Sequence, residues 1–152
     1  MLKPPLRRLL LAAAWLLLLL PATAPSLHAQ DRAAAEIRVR LLHATTGGDA
    51  PGDHAELADL LPVLRANLKA DAFRLLAARD VTPTAGQRVA LGSGLVLTFT
   101  EATPDGLCSV ILERQQKAIL TTRVRLRPGK PVILGGIPHP AGGSLLVVLS
   151  TR

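Results

Sequence analysis

Tyrosine is absent from this chain, which has one tryptophan, two phenylalanines, one cysteine and one methionine in 152 residues. The tryptophan, Trp15, lies in an apolar run near the N-terminus, so only Phe73 and Phe99 remain for the rest. Sugar binding and single-strand nucleic-acid binding rest on exposed aromatic platforms, and two phenylalanines in apolar contexts do not make one. A lone cysteine cannot form an internal disulfide. Cys108 sits in the apolar stretch Leu107–Leu112 and reads as a small buried hydrophobe. The sharper readings are an intermolecular disulfide or a nucleophile, and no sequence neighbour supports the second.

Long apolar runs are also scarce. One exists, Leu9–Leu20, and it follows the basic residues Lys3, Arg7 and Arg8. Its 12 residues are short of the about 20 that cross a bilayer as a helix. Pro21 ends the run, and small and polar residues follow to Ala29. This is the layout of a secretory signal peptide, residues 1–29. Leu27-His28-Ala29 is the favoured cleavage context, because Pro25 would follow a cut after Ala22-Thr23-Ala24. The expected product is periplasmic or secreted, with no stable membrane span after cleavage and no cysteine to carry a lipid.

Cleavage after Ala29 leaves 152 − 29 = 123 residues, enough for one domain with a core. It also removes three of the 18 Lys/Arg, leaving 15 against 11 Asp/Glu. That mild excess is not a nucleic-acid footprint. The expected organisation is a disordered leader over 30–35 and a single domain over 36–152.

Within that domain the hydrophobic pattern changes period. Glu36–Leu42 alternates, with Ile37, Val39 and Leu41 on one face and Arg38 and Arg40 on the other, as in a half-buried strand. His43–Gly52 reads as a loop. Asp53 and Glu56 form a capping-box-like start to a helical region. Leu57, Leu60, Leu61, Leu64 and Leu68 give it one apolar stripe, and Pro62 predicts a kink or a break. Phe73–Leu76 fits either the end of the helix or the start of a strand. Strand patterns then run to the end: Arg88–Leu91, Leu95–Thr100, Leu107–Glu113, Ala118–Arg127, Pro131–Leu134 and Leu145–Ser150. Turn signals separate them, notably Thr103-Pro104-Asp105-Gly106 and Arg127-Pro128-Gly129-Lys130, and Gly135–Gly143 reads as a long loop. Leu145–Leu149 is apolar on both faces, as in a covered central strand. The expected fold is α+β: one N-terminal strand and a Pro-kinked helical region packed on an antiparallel β-meander or small sandwich.

Arginine is the most ordered polar feature. Arg123, Arg125 and Arg127 share one side of a strand, and Arg38 and Arg40 one side of another. On neighbouring strands the five would form a face for a phosphate, a carboxylate or an acidic partner. The plainer reading is the solvated side of an amphipathic sheet, since like charges opposite one another repel. His43, His54 and His139 match no zinc or calcium spacing, so neither a metal nor another cofactor is expected. Gly92-Ser93-Gly94 lacks the G-x-S-x-G spacing of a nucleophile elbow, and Gly47-Gly48 and Gly135-Gly136 lack the residues of phosphate loops.

Gly129-Lys130-Pro131-Val132-Ile133-Leu134-Gly135-Gly136 resembles the G-x-x-V-x-L-G-G hairpin in the β-domain of bacterial secretins, the outer-membrane gates of secretion and pilus systems. More broadly the layout resembles small exported bacterial proteins of unknown function. There, a leucine-rich helical stretch with F-x-L-L precedes a meander carrying T-T-x-x-L and a terminal G-G-x-L-x-x-x-L strand. The corresponding residues are Phe73–Leu76, Thr121–Leu126, which is one residue longer than the pattern and includes Val124, and Gly142–Leu149. The resemblance implies fold and compartment and transfers no active site.

Together these features predict a non-enzymatic, exported, protein-binding domain, accessory to an envelope assembly and acting on an envelope protein partner. Its contact surface would be the arginine strands or an open sheet edge. A second expectation is a small secreted hydrolase using His43, Asp53, His54 and His139. A third is an anion-binding module built on Arg38, Arg40, Arg123, Arg125 and Arg127.

Overall fold

The computed structural model describes residues 35–47 and 54–152. The expected signal segment lies outside the described residues, as do most of the leader and the proposed Asp53 cap. The described chain is an α+β fold built on two four-stranded antiparallel sheets. The first sheet runs in the order β2 (Ala72–Val81), β1 (Ile37–Thr45), β8 (Ser144–Thr151), β7 (Val132–Pro138). The second is a meander of β3 (Arg88–Gly92), β4 (Leu95–Ala102), β5 (Leu107–Arg114) and β6 (Lys117–Arg125).

Alternation decides how the sheets pack. Ile37, Val39 and Leu41 of β1 and Leu145, Val147 and Leu149 of β8 face the second sheet. They meet Leu95, Leu97 and Phe99 of β4 and Cys108, Val110 and Leu112 of β5 there. Each fully buried side chain of this size contributes about 1.5–3 kcal/mol.

The other face of the first sheet carries a second core. Leu42, Ala44, Phe73, Leu146 and Val148 pack against Leu57, Leu60 and Leu64 of two short helices, α1 (His54–Leu57) and α2 (Leu61–Asn67). Pro62 occupies the first turn of α2, where the missing N–H costs nothing, so the chain breaks before the proline. The helical layer covers both central strands, which explains the unbroken burial of Leu145–Leu149 in β8.

Three local expectations change. β1 extends to Thr45, three residues into the expected loop, and its Arg40 face is covered by helix instead of water. Phe73–Leu76 belongs to a long strand, β2, because Phe73 and Leu75 pair with Ala44 and Leu42 of β1. β7 runs on through Gly135 and Gly136 to Pro138, within what reads as a loop. A Cβ at Gly135 would collide with the Leu146 side chain, so glycine here permits close packing on β8. Gly136 takes a φ of 87° at a β-bulge opposite β8.

Candidate functional site

The five arginines do not share a face. β1 and β6 lie in different sheets, so Arg38 and Arg40 sit on the outer side of one sheet and Arg123 and Arg125 on the outer side of the other. Arg38 forks onto Asp80 at 2.7 and 3.0 Å. Arg40, only 6% exposed, forks onto Asp59 at 2.8 and 2.9 Å. Arg123 reaches Ser109 at 3.2 Å and Glu101 at 3.4 Å, and Arg125 reaches Asp105 at 2.8 Å. Arg127 lies past the end of β6, in the turn closed by its bridge to Lys130. Four of the five are therefore already held by carboxylates. The Arg38 hydrogen bond holds the Asp80 carboxyl below its ordinary range, and Arg40 does the same to Asp59. Asp105 is lowered first by its hydrogen bond from Thr103 and then by Arg125.

The fold brings two of the three candidate histidines, His43 and His139, together. The His43 and His139 rings lie 4.4 Å apart between centroids, tilted by 38°. Nε2 of His43 donates to the Gly142 carbonyl at 2.7 Å, and Nδ1 of His139 accepts from the Ala141 N–H at 3.1 Å. Both rings thus engage the backbone of the β7–β8 hairpin and tie it to β1. Asp53 and the side chain of His54 lie outside the described residues. Among the described residues no three His, Cys, Asp or Glu side chains converge as metal ligands. Cys108 is 1% exposed in the inter-sheet core, and burial pushes its thiol up.

The surface that the sequence patterns leave unmarked is the outer edge of β7. No Asp, Glu, Lys or Arg occurs between Lys130 and Arg152. The other three edge strands carry charge: Arg74, Arg79 and Asp80 on β2, Arg88 on the short β3, and Lys117, Arg123 and Arg125 on β6. Charged side chains are the usual guard on an unpaired strand edge, and β7 carries none of its own, only a bulge, flanking prolines and the Arg114 guanidinium of β5 at its Pro138 end.

Open, mostly apolar space lies on both sides of this edge. On the sandwich side, a cleft of about 310 Å³ lies between β6 and β7, lined by Leu112, Ile119, Leu120, Ile137 and the Gly135-Gly136 backbone. Arg114 spans its mouth, donating to the Pro138 carbonyl at 2.8 Å. On the helix side, a groove of about 560 Å³ runs between α2 and β7, lined by Val63, Leu68, Ile133 and Leu146 together with the polar Asn67. The opposite flank of the sandwich differs, since β2 and β3 touch there. Ile119 is 42% exposed in the cleft, one of two large hydrophobic side chains so exposed among the described residues. The sequence signal for this site is the charge-free C-terminal stretch. Gly135-Gly136 obscures it by resembling a loop.

Comparison with known protein families, curated proteins and solved structures finds no match to this chain.

Proposed function

We propose that this protein is a non-enzymatic, exported binding domain that captures a segment of an envelope protein by adding it as a strand to the edge of β7. The observation that carries this reading is the β7 edge, without charge of its own, opening on a cleft lined by Ile119, Leu120 and Ile137 with Arg114 at its mouth. Unpaired backbone groups supply affinity in strand addition, and side-chain pockets beside them supply selectivity. The arginine faces are less suited to the role, because an incoming anion must displace Asp80, Asp59, Glu101 or Asp105.

The test is affinity capture from envelope extract with the wild type, an Ile119→Lys variant and an Arg123→Glu/Arg125→Glu variant. One specific partner should be retained by the wild type and the arginine variant and lost with Ile119→Lys. Loss with the arginine variant alone would transfer the contact to the outer face of the second sheet. N-terminal sequencing of the periplasmic protein checks export, with Gln30 as the expected first residue.

A further inference from the structure

We propose that the cleft between β6 and β7 is a binding site for a short alkyl carboxylate, with the chain in the cleft and the head group on Arg114 and Lys117. The cleft measures about 310 Å³, at the small end of the range of ligand sites, so it suits a short chain. Leu112, Ile119, Leu120 and Ile137 line it, and Gly135-Gly136 contributes backbone alone. Ile119 is 42% exposed there, and a chain laid on it takes apolar surface out of water.

The mouth selects the head group. Arg114 and Lys117 stand directly opposite one another on β5 and β6. Like charges so placed repel. Elsewhere Arg38, Arg40, Arg88, Arg123, Arg125 and Arg152 each hold a carboxylate. Among the described residues no Asp or Glu stands within ion-pair distance of Arg114 or Lys117. Arg114 gives one N–H to the Pro138 carbonyl at 2.8 Å, and a guanidinium has five. That bond fixes the group at the mouth and leaves donors for a second acceptor. A carboxylate placed there accepts charge-assisted hydrogen bonds and offsets the repulsion between the two cations. A cationic head group meets that repulsion, and a neutral one gains no charge-assisted bond. A second copy of this chain docked edge to edge brings no carboxylate to the mouth, since β7 and β8 contain no acidic residue.

This site goes beyond edge capture, which uses the β7 backbone. The two readings share the cleft lining, so a captured strand and the alkyl chain exclude one another there, and each is tested without the other.

The test is calorimetric titration of the purified full chain with octanoate, its neutral isostere octanamide, and butanoate. Octanoate should bind saturably, and butanoate at least about tenfold more weakly. Arg114→Gln should weaken octanoate about tenfold and leave octanamide unchanged. Ile119→Ser should weaken both ligands alike. Lys130→Gln, which removes a cation before the far end of β7, should change neither.

No saturable binding of octanoate at millimolar concentration would overturn the site and leave edge capture standing. Octanamide binding as tightly as octanoate would overturn the role of the cations. Equal weakening of both ligands by Arg114→Gln would make Arg114 a structural residue and overturn its contact with the head group. A dimer in sedimentation that excludes octanoate and dissociates with Ile119→Ser would overturn the site by assigning the cleft to a second copy.

Discussion

Arg40 lies buried beneath the helical layer and gives both arms of its guanidinium to Asp59, in the turn between α1 and α2. This pair joins the helices to β1 at the margin of the second core, beside Leu42. Asp59 is itself 58% exposed, so the pair has one dry end and one wet end.

That asymmetry sets the cost of breaking it. Asp59→Ala should leave Arg40 buried without its partner. Removing one member of a fully buried pair costs about 3–5 kcal/mol. Solvent at Asp59 screens part of this, and the expected loss is about 2 kcal/mol in urea unfolding. Arg40→Met together with Asp59→Ala should recover most of that loss, because no uncompensated charge remains.

Stability should also fall in acid. Asp59, Asp80 and Asp105 are held below their ordinary range by Arg40, Arg38, and Thr103 with Arg125. A carboxyl lowered in the folded state favours folding above its unfolded value of about 3.9. The contribution disappears as pH falls through the lower folded value, where both states bind the proton. Urea midpoints should therefore hold steady at neutral pH and decline below about pH 4. In the Asp59→Ala variant the decline should be shallower.

The paired imidazoles give a local prediction. His43→Ala removes the donor to Gly142 and the ring against His139. One hydrogen bond contributes about 0.5–1.5 kcal/mol, and the loss should concentrate in the β7–β8 hairpin. Amide exchange at Gly142 and Gly143 should accelerate, while amides in β4 and β5 keep their wild-type rates.

Cys108 should be silent in the folded protein. It is buried between the sheets, and burial raises its thiol. A thiol-specific reagent should label it at the rate of global opening and at full speed in urea. Rapid labelling under native conditions would show that the inter-sheet core is not closed.

Much of the fold is legible in residue order alone. The period-two pattern of Leu95, Leu97 and Phe99 marks a strand whichever sheet holds it, and the Pro-Asp-Gly turn before Leu107 forces a reversal. Pro62 signals a broken helix, and the break falls just before it. β2 is ambiguous in sequence because its apolar residues Phe73, Leu75 and Leu76 follow neither period cleanly. Pairing with β1 settles it as a strand. The sequence alone ends β7 early because Gly135-Gly136 has the composition of a loop, and only the proximity of Leu146 makes a glycine the residue that fits.

Composition and spacing by themselves determined the class of this protein: the α+β layout, the covered final strand and the single thiol in an apolar stretch. These follow from local backbone preference and from which side chains avoid water. Tertiary structure alone decided what became of the polar and edge residues. It separated Arg38 and Arg40 from Arg123 and Arg125 by assigning their strands to different sheets. It brought His43 to His139 across the chain, and it left β7 uncharged at an open seam. Those outcomes depend on strand order and register, which are long-range pairings that no local pattern encodes.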